Sequence, residues 1–244
     1  MSLRSKLLGV GIAAAAFGLL STSAMATVTV TASVGGAPTG AILDDLDLLS
    51  TGNATQNSLT GITVSFTGSS AVVTGASSGQ YAPPAVSGLN GAGFGNGLGP
   101  DSTLYLSSEP GGNITLNFNT EVKYVGLLWG SIDTYNSLEL YDGATLVATI
   151  SGTDAAVAAG ALPNGDQNNP GTAYVNINST VQFDRIVALS TSPAFEFDNI
   201  AYNAQECTTP DCTQSVVPEP LTLSLFGAGL AGAAALRRRK KKSA

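Results

Sequence analysis

The residues best suited to ligand binding cluster around Trp129, the only tryptophan of the chain. Three polar residues follow it on a predicted loop: Asp133, Tyr135 and Asn136. An aromatic ring beside short polar side chains can stack on a sugar ring and hydrogen-bond its hydroxyl groups. Trp129 also shares strand parity with the apolar residues two and four positions upstream, which instead predicts a buried core residue. The sequence leaves both interpretations open, a sugar-stacking platform and a core tryptophan.

Any catalysis by this chain would have to rely on carboxylates. Histidine is absent, which excludes Ser-His-Asp and Cys-His catalysis and the usual zinc sites. A glycoside hydrolase would need a pair of carboxylates, and the candidates are Asp133, Glu139, Glu196 and Asp198. Because nothing in the sequence fixes their separation, we assign no catalytic residue and expect a binding or structural protein rather than an enzyme.

The elements that must position these residues show period-two alternation of apolar and polar side chains. The alternating segments are residues 28–30, 62–66, 114–118, 138–140, 146–150, 174–177 and 183–189. Such alternation indicates half-buried strands, and residues 141–144 have the composition of a hairpin turn. We therefore expect an all-β domain, a β-sandwich of jelly-roll type. One short helix is predicted, with Thr153 as its N-cap and Gly160 at its C-terminal end.

Charge is distributed unevenly along the chain, whose formal net charge is −7. All 17 acidic residues lie between Asp44 and Glu219, where only Lys123 and Arg185 are basic. A surface this acidic repels nucleic acid, so nucleic acid is excluded as a partner. The same charge keeps an exported protein soluble and attracts divalent cations.

The N-terminus has the three parts of a cleavable signal peptide. Two basic residues precede an uncharged apolar run over residues 7–20, and Ala24 and Ala26 form a small-x-small cleavage site. The apolar run is too short to span a membrane comfortably. We predict cleavage after Ala26 and export by the Sec machinery into an oxidising compartment.

The only two cysteines are Cys207 and Cys212. In an oxidising compartment we expect them to close a small disulfide loop. The loop connects no distant strands, so its effect on the stability of the main domain should be small.

The C-terminus combines three features in a fixed order. The tripeptide Pro218-Glu219-Pro220 precedes an uncharged run over residues 221–236 that is rich in Leu, Ala and Gly. Six consecutive cations follow: Arg237, Arg238, Arg239, Lys240, Lys241 and Lys242. As a helix the apolar run is about 24 Å long at 1.5 Å per residue, and snorkelling basic side chains can extend it toward a hydrocarbon core of about 30 Å. We predict a single C-terminal transmembrane helix at residues 221–236, with the basic cluster in the cytoplasm.

Together these three parts resemble the PEP-CTERM sorting signal of Gram-negative bacteria. The resemblance implies that an exosortase, a membrane cysteine protease-like enzyme, recognises Pro218, Glu219 and Pro220 and processes the tail. It also implies transient anchoring in the inner membrane, then a place at the cell surface or in the extracellular matrix, beside exopolysaccharide in biofilms or flocs. The expected organisation is a signal peptide at 1–26, an ectodomain at 27–203, a linker at 204–217 and a sorting tail at 218–242.

The last predicted strand carries a second resemblance. Its sequence, Phe195-Glu196-Phe197-Asp198-Asn199-Ile200, resembles the closing strand of carbohydrate-binding-like jelly rolls, including ectodomains of other PEP-CTERM proteins. The resemblance implies that Asp198 helps to hold a structural Ca²⁺, an ion that takes six to eight oxygen ligands. The alternative is an aspartate that is solvated or accepts a backbone N–H.

Overall fold

A computed structural model of the chain describes residues 26–33, 36–86, 99–167, 171–208 and 212. These residues form thirteen strands and one helix. The strands are β1 (Val28–Ser33), β2 (Ile42–Asp44), β3 (Gln56–Asn57), β4 (Thr63–Thr67), β5 (Ala71–Thr74), β6 (Ala85–Val86), β7 (Gly99–Pro100), β8 (Leu104–Ser108), β9 (Asn113–Gly130), β10 (Asn136–Asp142), β11 (Thr145–Ser151), β12 (Ala173–Ser190) and β13 (Phe195–Asn203). The helix α1 (Gly152–Ala159) lies between β11 and β12.

Eleven of these strands join in one antiparallel sheet, and β6 and β7 form a separate pair. The centre of the sheet is the pair β9 and β12, each 18 residues long. Their register shifts between Asn178 and Arg185, and the neighbours change along their length. The first part of β9 pairs with β4 and its second part with β13, while β12 pairs first with β1 and then with β10.

Burial along β9 shows how the sequence specifies the sheet. In its first part Ile114, Leu116 and Phe118 are buried and the residues between them are half-buried, as period-two alternation predicts. From Tyr124 to Gly130 every residue is buried, because one face meets the main core and the other meets a second apolar cluster. The predicted hairpin between β10 and β11 also forms.

One main core packs against both parts of the sheet, the part around β10 and the part around β13. Leu116 and Leu138, from the part around β10, belong to the same apolar cluster as Val125 and Ile177, from the part around β13. The prediction of an all-β domain is confirmed. The strands form one connected sheet instead of the two separate sheets predicted for a sandwich, because β9 and β12 run through both parts.

The single helix begins earlier than predicted. Its N-cap is Ser151, not Thr153: the Ser151 hydroxyl accepts the Asp154 N–H, and the Asp154 carboxylate accepts the Ser151 N–H. This reciprocal pair is a capping box. Gly160 ends the helix in the left-handed conformation, as predicted.

Within the described ranges, no helix is long and apolar enough to cross a membrane. The predicted membrane helix at 221–236, the basic cluster at 237–242 and the tripeptide at 218–220 lie outside those ranges, as do residues 1–25 of the predicted signal peptide.

Candidate functional site

Trp129 lies in the main core. Its exposed fraction is 0%, and its ring stacks on Phe195 with 4.3 Å between centroids and an interplanar angle of 26°. This placement agrees with the strand parity of Trp129. The ring is not available to stack on a sugar, so the ligand-binding prediction is corrected for this residue.

A polar cavity of about 530 Å³ lies where β9 ends and β13 begins. Four chain segments wall it: residues 76–82, 131–135, 164–167 and 193–196. Its polar lining residues include Gln80, Tyr81, Ser131, Asp133, Tyr135 and Glu196. We call it the Asp133–Glu196 pocket. Two of the four residues predicted to bind a ligand, Asp133 and Tyr135, are therefore brought together there.

Backbone packing holds Asp133 at the pocket wall. Ser131, with a φ of 45°, turns the chain out of β9, and Asp133 then forms a β-bridge with Asn164. A Cβ at Gly152 would lie 1.8 Å from the Asp133 carbonyl oxygen, and one at Gly165 would lie 2.6 Å from Asp133 Oδ2. The close approach to the Asp133 backbone requires glycine at position 152, and glycine at position 165 leaves room for the Asp133 carboxyl group.

Glu196 contributes a buried carboxyl group from β13. Its exposed fraction is 2%. Its Oε1 accepts the Ala82 N–H at 2.8 Å, whereas its Oε2 has no hydrogen-bond partner among the described residues. Burial is the main cause that raises the pKa of Glu196 to about 7. The carboxylates of Glu109 and Asp133 also raise this pKa, whereas the hydrogen bond from the Ala82 N–H lowers it. Glu196 therefore changes protonation near neutral pH.

Tyr135 and Asp133 are electrostatically linked. The Tyr135 hydroxyl donates to the Pro193 carbonyl oxygen at 3.1 Å. Burial raises the pKa of Tyr135, and the neighbouring Asp133 carboxyl group raises it further. Burial also raises the pKa of Asp133, and the Tyr135 hydroxyl opposes that effect. The surroundings therefore raise the pKa of both groups.

Asn136, the fourth residue of the predicted site, is not among the residues that line the pocket. It is buried, and its Nδ2 donates to the Ala194 carbonyl oxygen at 3.0 Å. This bond ties the start of β10 to the segment before β13. The ligand-binding prediction is corrected for Asn136, which holds the pocket wall in place.

The acidic candidates for catalysis divide between three places. Asp133 and Glu196 share the pocket. Glu139 lies on β10, where it accepts a hydrogen bond from the Tyr141 hydroxyl at 2.6 Å, and Asp198 is buried within β13. This cavity therefore brings together the pair Asp133 and Glu196.

Asp198, the predicted calcium ligand, is buried within β13. Its exposed fraction is 1%, and neither carboxylate oxygen has a hydrogen-bond partner in the described part of the chain. That part holds no group of three or more acidic, His or Cys side chains able to bind a metal ion. Burial, with the nearby charge of Asp101, raises the pKa of Asp198 well above its usual value. Burial favours the protonated form of this carboxyl group, and the calcium site at Asp198 stays a prediction.

A disulfide joins Cys207 and Cys212, as predicted. Both cysteines are buried and pack in the second apolar cluster with Tyr124 and Tyr174. The Cys212 N–H donates to the Thr39 carbonyl oxygen at 2.8 Å. Cys207 and Cys212 are therefore packed against the second apolar cluster on the outer face of the sheet.

Sequence comparison identifies the C-terminal segment. Residues 216–240 match the family described as the PEP-CTERM protein-sorting motif. This match includes the tripeptide Pro218-Glu219-Pro220, the whole apolar run and the first four cations. No curated protein and no solved structure matches the chain. The chain therefore carries a PEP-CTERM protein-sorting motif, which implies exosortase-dependent export to the cell surface.

Proposed function

We propose that this chain is an adhesive protein of the cell surface or extracellular matrix, and that it binds exopolysaccharide through the Asp133–Glu196 pocket. The signal peptide directs it to the Sec machinery of a Gram-negative bacterium. Residues 221–236 then anchor it transiently in the inner membrane until an exosortase processes the tail. The mature ectodomain contributes to biofilm or floc formation by holding polysaccharide chains.

The observation that carries this proposal is the size and polarity of the pocket. Its volume of about 530 Å³ lies within the range of about 300–1,000 Å³ that small-molecule sites occupy. Hydroxyl, amide and carboxyl groups line it, and these groups exchange hydrogen bonds with sugar hydroxyls. A polar cavity of this kind favours a polyhydroxylated ligand over an apolar one.

Tyr81 supplies an aromatic ring in place of Trp129, whose sequence position left a sugar-stacking role open. It is half-buried and lines the pocket. Its ring packs edge-on against Tyr105, with 6.3 Å between centroids, so its orientation is supported from outside the cavity. An aromatic ring supported in this way is suited to stacking on a sugar.

The charge of the pocket limits which polysaccharides can bind there. Two carboxyl groups line it. The only basic residues between Asp44 and Glu219 are Lys123 and Arg185, and Arg185 is bound elsewhere, to the Gly143 carbonyl oxygen. An anionic glycan would be repelled, so the ligand is a neutral or cationic one.

A pull-down on the host's own exopolysaccharide tests this proposal. The full chain, solubilised in mild detergent, should bind, and Tyr81→Ala should reduce binding at least tenfold, corresponding to about 1.4 kcal/mol. Glu139→Gln is the matched control, because it changes an acidic residue outside the pocket and should leave binding unchanged. Absence of binding by the wild type would leave a structural matrix protein without a ligand.

The same material should be assayed for release of new reducing ends, because Asp133 and Glu196 share the pocket. A group with a pKa near 7 beside a second carboxylate is the arrangement that glycosidases use. We expect no release. Release that Glu196→Gln abolishes would replace the adhesive role with a hydrolytic one.

A further inference from the structure

We propose that the ectodomain presents one defined face to the exosortase, and that the Cys207–Cys212 disulfide fixes which face this is. The face consists of residues 37–41, residues 203–208 and Cys212, and we call it the Cys212 face. The partner is the enzyme that processes the tail, which would contact this folded surface in addition to the sorting tripeptide. The proposal rests on the sorting motif at residues 216–240 and not on the Asp133–Glu196 pocket.

The first argument is that Cys212 is a fixed point on the ectodomain. A disulfide joins it to Cys207, and its N–H donates to the Thr39 carbonyl oxygen at 2.8 Å. Cys207 is held in turn by Asn178: the Cys207 N–H donates to Asn178 Oδ1 at 2.6 Å, and Asn178 Nδ2 donates to the Cys207 carbonyl oxygen at 3.1 Å. The chain therefore leaves the ectodomain from a defined position.

The second argument is the short distance from this point to the sorting tripeptide. Pro218 follows Cys212 by six positions. Because consecutive Cα atoms are about 3.8 Å apart, Pro218 lies at most about 23 Å from Cys212, whatever the path between them. In the predicted topology the membrane helix starts at Leu221, so the tripeptide meets the exosortase at the membrane surface.

The size of a folded enzyme turns this distance into a surface contact. A domain of only 100 residues has a radius of gyration of about 13 Å and is roughly 30 Å across. The tether is thus shorter than the width of either protein. With the tripeptide bound, the Cys212 face is the part of the ectodomain nearest to the enzyme, and the opposite side is turned away.

The third argument is the composition of the Cys212 face. Asn203 Nδ2 donates to the Gly40 carbonyl oxygen at 3.0 Å, so its two segments form one surface, on which Thr39 and Gln205 are exposed. Glu206 is the only charged residue in these segments, although the chain has 17 acidic residues. Protein interfaces are depleted of charge at their centre, whereas anionic lipid attracts basic residues. The face therefore fits a protein partner better than a lipid surface.

Site-specific photocross-linking of the full chain in host cells tests this contact. A benzophenone amino acid replaces Thr39 or, as a control, Leu146, which is 49% exposed on β11, a strand that β10, β12 and β9 separate from β13. We expect an adduct with the exosortase from position 39 and none above background from position 146. Replacing the tripeptide with alanines should abolish the adduct, because the enzyme no longer holds the tail.

A longer tether tests the role of the disulfide. Inserting five Gly and Ser residues after Thr213 extends the path from Cys212 to Pro218 to about eleven steps, so the adduct from position 39 should fall about 2.5-fold, as the −3/2 power of length. Replacing both cysteines with Ser should lower it similarly, because the chain is then held at position 207 by Asn178. If that double variant fails to fold, the insertion decides, since it keeps the disulfide.

Four results would overturn the proposal, whatever the pull-down on exopolysaccharide shows. Equal adducts from positions 39 and 146 would mean that no face is preferred. A chain that is processed normally without any adduct from position 39 would mean that the face does not touch the enzyme. An adduct with lipid alone would indicate a membrane contact, and an undiminished adduct after the insertion would reject the role of the tether.

Discussion

Replacing Glu196 with Gln should stabilise the folded protein above pH 7 and make little difference near pH 4. Burial raises the pKa of this carboxyl group from its usual 4.5 to about 7. Folding therefore favours the protonated form. The stability that this form contributes is complete below pH 4.5, falls as the pH rises, and is lost above about pH 7. Gln is neutral throughout and keeps an oxygen to accept the Ala82 N–H.

The expected size of the effect follows from the two pKa values. They differ by about 2.5 units, and each unit corresponds to about 1.4 kcal/mol. The stability gained by Glu196→Gln, measured as the difference in free energy of unfolding from the wild type, should thus be about 3 kcal/mol larger at pH 8 than at pH 4. For a domain with an unfolding free energy of about 5–15 kcal/mol, this is a large fraction.

Denaturant titration at a series of pH values measures this difference. Trp129 is the only tryptophan and is buried, so its fluorescence reports unfolding of the core. Glu139→Gln is the control, since Glu139 lies outside the buried pocket and its replacement should give no comparable gain at high pH. A difference between wild type and Glu196→Gln that stays constant from pH 4 to pH 8 would refute the burial argument.

Three further predictions concern the core, the proposed metal and the tail. Trp129→Ala should lower the free energy of unfolding by about 3–5 kcal/mol, because the ring is fully buried against Phe195; a change below about 1 kcal/mol would indicate an exposed ring. Asp198→Asn should fold normally, and a chelator should leave the wild-type melting temperature unchanged, as expected of a protonated carboxyl group; a chelator-induced drop would support the calcium prediction. Replacing Pro218, Glu219 and Pro220 with alanine should leave the full-length chain in the membrane fraction on an immunoblot; normal tail processing would argue against the sorting role.

Much of the fold could be predicted because it depends on local pattern. The alternation of Ile114, Leu116 and Phe118 with polar residues is sufficient to indicate a strand with one buried face. Strand parity likewise predicted the core position of Trp129. The helix shows the limit of such reasoning: Ser151 and Thr153 are both acceptable N-caps by type, and only the reciprocal bonds with Asp154 select Ser151.

The pocket could not be predicted, because segments far apart in the sequence assemble it. Tyr81 reaches it from the chain before β6, and Glu196 is placed there by the register of β13. Periodicity within one segment carries no information about which loops meet across a sheet. The same limit explains Asn136, whose type suggested a ligand contact although its partner is the Ala194 carbonyl oxygen.

Hydrogen–deuterium exchange of the full chain, with and without the host exopolysaccharide, tests the central claim most directly. We expect slower exchange in residues 76–82, 131–135 and 164–167, which wall the pocket. The β10–β11 hairpin is the internal control and should be unaffected. Slower exchange confined to other surfaces, or none at saturating polysaccharide, would contradict the claim that this pocket binds the glycan.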